Sequence, residues 1–286
     1  MASGTIYSSS WRHTVVRPEA FLRWAGSKKQ IVERLASFWS DNYSRYVEPF
    51  AGSSRLFFRI QPERALLADK NGQLIEAYKV VRSSPYELWR RLSGMPCDRD
   101  SYYRVRSLDP RQLGTIDRAA RFIYLNRFCF NGIYRTNRGG NFNVPYGQTS
   151  DKKSRLPSID ELASCSRLLQ RATLRDWDFG TTLRHTRRGD FVYLDPPYAV
   201  REKRVFREYS AHPFGLQDLE RLQMHLKKID ARGVDFVVSY ADCSDARAAF
   251  KEWRIVRIVV RRHVAGFTSA RRLTHELIVT NIERLT

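Results

Sequence analysis

Residues 191–200 read FVYLDPPYAV. An apolar, strand-like run enters an acid, two prolines and a tyrosine: Asp195, Pro196, Pro197 and Tyr198. Proline cannot continue a central strand, so the strand must stop here in a stiff turn. The stop leaves a carboxylate, a backbone carbonyl and an aromatic ring at the strand's carboxyl end, the edge where open α/β sheets bind ligands. One reaction suits that set. An exocyclic amino group on a nucleobase is a poor nucleophile, because its lone pair is delocalised into the ring. If its two N–H bonds donate to Asp195 and to the Pro196 carbonyl, the nitrogen is drawn toward tetrahedral geometry and its lone pair is freed for in-line attack. Tyr198 can stack on the base and hold its plane. Positioning and electrostatics then supply the catalysis. A plain proline-rich turn after a core strand is the bland alternative.

Two further motifs bear on a nucleoside-containing ligand. EPFAGSS follows a strand predicted over Tyr46–Phe50. Small residues there let the backbone approach a ligand and open a helix, expected from about Arg55. The pattern is not G-x-G-x-x-G, and a simple tight turn reads the same way. RALLADKNG predicts a second strand ending at Asp69. An acid at that distance from the glycine turn commonly accepts ribose hydroxyls, although Asp69 could equally cap the helix QLIEAYKVVRS.

These elements form the start of a βαβ unit. Before them, FLRWAGSKKQIVERLASFW predicts a helix from Lys28, with Ser27 as its N-cap and Ile31, Leu35 and Phe38 on one face. From Pro85 to about Leu162 strand alternation fades, and arginine- and aromatic-rich helical stretches run into the loop NGIYRTNRGGNFNVPYG. Strand and helix patterns resume with FVYLDPPY, a helix over 216–233 ending at Gly233, then DFVVSYAD, WRIVRIVV and HELIVTNI, the last two suited to antiparallel pairing.

The 286 residues carry 50 Lys+Arg against 30 Asp+Glu, a formal +20. Charge of that size opposes compaction and fits an anionic partner, nucleic acid first. Hydrophobic content of 42% with 13% aromatics marks a globular chain. No apolar run approaches the roughly 20 residues of a membrane helix, and the N-terminal stretch lacks the apolar core of a secretory signal. Cys97, Cys129, Cys165 and Cys243 and the six histidines show no metal or redox spacing. A cytoplasmic protein without metal is expected.

In motif order the chain resembles the Dam-type, alpha-class DNA adenine-N6 methyltransferases over about residues 20–284. FLRWAGSK, YVEPFAGSS, LLADKN, a recognition insert with LNRFCFNGIYRTNRGGNFNVPYG, and DPPY follow one another as in that family. The resemblance implies an α/β, Rossmann-like S-adenosylmethionine-dependent methyltransferase sheet with an inserted, mostly helical target-recognition domain. The expected division is a tail over 1–19, a catalytic part over 20–84 and 163–286, and a recognition domain over 85–162. Trp24, Lys28, Asp69 and Asp195 would serve S-adenosylmethionine, with Lys28 near the methionine carboxylate. Asp195, Pro196 and Tyr198 would serve the amino group. Arg23, Phe130, Asn131, Ile133, Tyr134 and Arg135 would serve duplex DNA, with Arg135 suited to a bidentate guanine contact and Phe130 and Asn131 beside the extruded adenine. From the residues alone, Trp24 could be a core aromatic, Lys28 a solvated lysine and Phe130 a buried helical position.

The resemblance further implies a bacterial or phage-borne, nucleoid-associated enzyme. It leaves open a partner endonuclease and the oligomeric state. Two glycines of the family pattern are Ser27 and Ser54 here, and RRHVAGFTSARRLTHELI departs from the family's Ser/Asn-rich loop. Cytosine-N4 methylation and a DNA-binding relative without catalysis are the competing functional readings. Arg261, Arg262, Arg271 and Arg272 are candidates for phosphate contacts.

Overall fold

The computed structural model describes residues 18–24, 26, 28–137, 139–147, 155–198, 214–263 and 271–283; the side chains of 261–263 and 271–272 are outside that description. The first elements are α1 (Val32–Ala36), β1 (Arg45–Glu48), α2 (Arg55–Ile60), β2 (Ala65–Ala68) and α3 (Gly72–Ser83). Helices α4 (Pro85–Ser93), α5 (Arg99–Ser107), α6 (Thr115–Phe128) and α7 (Ile159–Leu169) follow, then β3 (Ala172–Arg175) and α8 (Phe179–Arg184). The chain continues with β4 (Asp190–Leu194), α9 (Leu216–Asp230), β5 (Asp235–Ala241), α10 (Ser244–Ala249), β6 (Arg254–His263) and β7 (Arg271–Thr280).

The described strands make one sheet in the order β3-β2-β1-β4-β5-β7-β6. β7 runs antiparallel to both of its neighbours, while the five strands from β3 to β5 are mutually parallel. Parallel strands covered on both faces need continuous apolar runs. ALLA in β2 and DFVYL in β4 are accordingly buried at every position, whereas ATLR at the β3 edge alternates buried and exposed. From β1 the chain winds outward to β3 and then returns to β4 on the other side of β1. The crevice beyond the carboxyl ends of β1 and β4 is therefore the topological switch point, where this class of sheet takes its ligand.

Local chemistry sets several element ends. Asn71 caps α3 by accepting from Leu74 N at 3.2 Å. Ser158 and Glu161 form a reciprocal capping box on α7. Asp178 caps α8 through Gly180 N and Thr181 N. Gly233, at φ +69°, ends the turn after α9 in a left-handed conformation that glycine adopts without penalty.

Two expectations, the start of α1 and the end of β1, are corrected. α1 begins at Val32, not Lys28, with Ile31 at its N-cap position and no side-chain cap bond; Ser27 itself lies outside the described residues. Ile31, Leu35 and Phe38 are buried together as expected. β1 ends at Glu48, two residues earlier than the apolar pattern suggests, because Pro49 has no N–H for the ladder. The boundary at residue 162 falls inside α7, which packs on both α3 and α4. Tyr102, Phe122 and Ile123 of the helical stretch share one apolar core with Phe21, Tyr78 and Val81. This helical stretch thus rests on the same core as the sheet.

Candidate functional site

The EPFAGSS turn is held from both sides. Asp69, just past β2, accepts from Gly52 N at 3.1 Å through one carboxylate oxygen and from Asn71 N at 2.9 Å through the other. The Gly52 carbonyl accepts from Tyr78 at 3.0 Å. Gly52 has φ +46°, and a Cβ there would lie 2.9 Å from Cδ1 and Nε1 of Trp24. The indole lies directly on the turn, and only a residue without a side chain permits it. Asp69 is not the α3 cap; it bridges the turns after β1 and β2. Burial raises its carboxyl above the ordinary value against the pull of those two N–H groups.

Ser54, which replaces a family glycine, is 1% exposed and left-handed at φ 46°. Its hydroxyl donates to the Ala51 carbonyl at 3.2 Å. This local bond offsets part of the roughly 1–2 kcal/mol that the conformation costs a residue with a Cβ.

Asp195 and Tyr198 meet around one ammonium. Lys28 Nζ is 3.1 Å from Asp195 Oδ1 and 3.0 Å from the Tyr198 hydroxyl. On its remaining side stands Glu276 of β7, with oxygens at 3.4 and 3.5 Å. Tyr198 donates to Glu276 at 3.2 Å, and its ring meets Tyr240 edge-on. Asp195 Oδ1 also accepts from Ser239 of β5 at 3.0 Å, and Ser239 pairs with the Tyr193 hydroxyl at 3.0 Å. Lys28 is 7% exposed, so the solvated-lysine reading is overturned. Burial opposes its charge, but Asp195, Tyr198 and Glu276 together outweigh it and hold the amine well above its ordinary pKa. Burial raises the Asp195 carboxyl, with Lys28 as the main opposing influence.

Glu48, at the end of β1, lines the same space. It is 2% exposed, and its Oε2 has no hydrogen-bond partner among the described residues. Burial above all pushes this carboxyl well above its ordinary value. A buried acceptor without a donor is costly, and such an atom beside a cleft is poised for a ligand donor. The cleft has a volume of about 1490 Å³ and is lined by Trp24, Lys28, Glu48, Asp69, Asp195 and Tyr198 among others. A single small-molecule site takes roughly 300–1,000 Å³. The space therefore suits two ligands, a nucleoside cofactor and a second reactant.

Of the residues expected to serve DNA, Tyr134 lines this cleft, and Phe130, Asn131, Ile133 and Arg135 lie around it in sequence. Arg23 N donates to Asn126 Oδ1 at 2.8 Å, Asn126 Nδ2 donates back to the Arg23 carbonyl, and Arg23 Nη1 donates to the Arg127 carbonyl at 3.1 Å. Gly132, at φ +64°, packs so closely on Arg23 that a Cβ would come within 2.9 Å of it. α6 ends at Phe128; Phe130 is 39% exposed and Asn131 beside it is left-handed and exposed, which overturns the buried-helix reading of Phe130. Ile133 and Tyr134 are half-buried, and Tyr134 stacks on Trp24 with centroids 6.1 Å apart. Arg135 Nε donates to Asn143 Oδ1 at 2.8 Å, which orients the guanidinium. Arg261, Arg262, Arg271 and Arg272 lie in the paired strands β6 and β7, but their side chains are outside the described set.

Glu276, Ser239 and Glu48 are absent from the expected site. Glu48 could have been noticed as an acid ending a strand, as Asp69 was. Glu276 and Ser239 carry no local signal.

A mostly parallel sheet with an anchored Asp-Pro-Pro-Tyr turn at its switch point, beside a cleft with room for two ligands, is the arrangement of a methyltransferase that acts on an amino group. Residues 24–264 match the family described as D12 class N6 adenine-specific DNA methyltransferase, and the chain belongs to that family. It is 31% identical over 270 residues to the type II methyltransferase M1.LlaDCHI of Lactococcus lactis subsp. cremoris, covering 91% of this chain and 94% of that protein. It is 30% identical over 285 residues to the type II methyltransferase M.MjaIII of Methanocaldococcus jannaschii, covering 91% and 98%. The DNA adenine methylase of Vibrio cholerae is 30% identical over 268 residues, covering 92% and 95%. The chain is thus an adenine-specific DNA methyltransferase, which sets aside the cytosine-N4 alternative, and membership implies S-adenosylmethionine as the methyl donor. Among the described residues no helix is long and apolar enough to cross a membrane, and no acid, histidine and cysteine group could hold a metal.

Proposed function

We propose that the chain methylates N6 of an adenine rotated out of duplex DNA, with Asp195 and the Pro196 carbonyl accepting the two N–H bonds of the amino group. The observation that carries this reading is the anchoring of Asp195 Oδ1 by Lys28 and Ser239. It leaves Oδ2 without a hydrogen bond from the described residues. Lys28 opposes the effect of burial and favours the ionised form that must accept the N–H bond.

S-adenosylmethionine, when bound, supplies a methyl group on a positively charged sulfur. The residues present fit that cofactor. Asp69 is placed to accept ribose hydroxyls, and the orphaned Glu48 Oε2 suits a cationic amino group, which would hold that carboxyl ionised. Trp24 packed on Gly52 closes the turn between them. Lys28, already engaged by three oxygens of the protein, serves Asp195 in this reading more than the methionine carboxylate.

On the DNA side of this reading, the exposed Phe130 and Asn131 fill the vacated stack, and Arg135, oriented by Asn143, reads a guanine. The basic stretch from Arg99 to Arg155, with twelve Lys+Arg and four Asp, tracks phosphates. A nuclease partner, a subunit count and a nucleoid location play no part in this reading.

The test is a mass-resolved nucleoside digest of duplex DNA treated with the purified chain and S-adenosylmethionine. N6-methyladenine at one defined sequence, lost in Asp195→Ala with DNA binding retained, is expected. Methyladenine formation that survives Asp195→Ala would overturn the assigned chemistry.

A further inference from the structure

We infer that Glu276 of β7 is a positioning residue for methyl transfer, holding Lys28 and Tyr198 so that the Asp-Pro-Pro-Tyr turn keeps its reactive shape. The inference rests on the function proposed above for that turn.

Glu276 is 6% exposed in a strand paired on both sides, opposite Ala241 of β5 and Ile258 of β6. Its near neighbour on the same face, Ile278, is fully buried in the apolar core. A hydrophobic residue at 276 would fold at lower cost than a desolvated carboxylate. What the carboxylate does there is visible in its contacts. It accepts from the Tyr198 hydroxyl at 3.2 Å and stands 3.4 Å from Lys28 Nζ.

An ammonium has three donors, and those of Lys28 meet three oxygen partners: Asp195, Tyr198 and Glu276. Asp195 and Tyr198, the first and last residues of the turn, are both tied to that one nitrogen. The Pro196 carbonyl between them is fixed as a consequence. Lys28 comes from a long side chain on a loop, and Glu276 comes from a rigid strand. Glu276 therefore references the whole turn to the sheet. The charges of Asp195, Glu276 and Lys28 sum to −1, so Asp195 keeps more acceptor strength than it would in a one-to-one ion pair.

The full chain is assayed as wild type, Glu276→Gln and Glu276→Ala on unmethylated duplex DNA, with kcat, both KM values, melting temperature and DNA affinity measured across pH. Glu276→Ala is expected to lose roughly 10²-fold in kcat, with DNA affinity within about threefold. Glu276→Gln keeps the shape, loses the charge and should fall between the two. The groups that face Asp195 are Lys28, Tyr46 and Glu48 of β1, Tyr193 of β4, Ser239 of β5 and Glu276, with Tyr198 joined through Lys28. Glu276 acts to raise the Asp195 carboxyl, so the acid limb of kcat in Glu276→Gln should move to lower pH. Wild-type kcat in Glu276→Ala, or an unmoved acid limb in Glu276→Gln, overturns the inference. So does a loss explained by melting alone, with normal kcat per folded molecule. An inactive wild type would overturn the proposed function along with it, whereas an active wild type with an indifferent Glu276 overturns the positioning role alone.

Discussion

Lys28 Nζ stands 3.1 Å from Asp195 Oδ1, joining the loop before the first helix to the turn that ends the fourth strand. A buried pair of this kind adds little net stability, because desolvation of two charges consumes most of the attraction. Its value lies in what it fixes. It ties Lys28, ahead of α1, to the turn after β4 and favours the ionised form of Asp195.

Lys28→Met leaves two carboxylates, the half-buried Asp195 and the buried Glu276, without their cation. Asp195 is 23% exposed, so the expected loss is near the low end for a broken buried pair, about 3 kcal/mol at pH 8. Lys28 normally lowers the Asp195 carboxyl, so its removal raises that pKa further. The resulting instability exists where the carboxylate is charged and is relieved as pH falls through the folded value. Chemical denaturation at pH 5 and pH 8 should show the smaller deficit at pH 5. Equal deficits would mean that packing, not charge, is what Lys28 supplies.

Glu48→Gln should make the cofactor-free protein more stable and less active. The folded carboxyl titrates well above its unfolded value, so in the wild type stability is lost as pH rises from the unfolded pKa toward the folded one. Glutamine removes that loss. A higher melting temperature at pH 8 than wild type, no gain near pH 4, and weaker S-adenosylmethionine binding by calorimetry are expected. A lower melting temperature at pH 8 would refute the assignment of Glu48 as a strained, ligand-directed acid.

Gly52→Ala places a methyl 2.9 Å from the Trp24 indole on a backbone at φ +46°. The ring must move off the turn, and the left-handed conformation alone costs about 1–2 kcal/mol. Cofactor affinity should fall at least about tenfold, since each 1.4 kcal/mol is a factor of ten. Calorimetry with S-adenosylmethionine reads the loss, and an unchanged affinity would show that the indole on the turn does not shape the cofactor site.

Ser54 gives a sharper comparison. Ser54→Ala loses the bond to the Ala51 carbonyl, worth about 1 kcal/mol, and keeps the strained backbone. Ser54→Gly loses the same bond but relieves the strain. Melting should rank the alanine variant lowest, with the glycine variant close to wild type. The reverse order would show that the hydroxyl matters little.

Arg135→Ala should cost about 1–3 kcal/mol of discrimination at a single base pair while leaving turnover on other sequences intact. Asn143→Ala, which frees the guanidinium, should give a smaller effect in the same direction. Methylation of a randomised-site library read by sequencing measures both. Unchanged preference at every position would assign base reading to other residues.

Much of this site was legible in the residues. Asp69 and Asp195 sit where strands meet turn-forming residues, and that signal is local: apolar runs, then an acid, then glycine or proline. The segment expected to serve DNA carries a local motif, whereas its contact with the cleft, Tyr134 stacked on Trp24, comes only from the fold. The start of α1 was misjudged because apolar spacing persists through a turn as well as through a helix.

By itself the sequence determined which chemical groups end which strands, the order of the motifs and the charge that suits DNA, because these depend on neighbours a few residues apart. Only the tertiary structure decided that one ammonium would bind Asp195, Tyr198 and Glu276, and that Glu48 Oε2 would be left without a donor among the described residues. β7 enters the sheet between β5 and β6, against chain order. That insertion carries Glu276 to the end of β4, and no spacing along the chain encodes a contact made by strand pairing across the sheet.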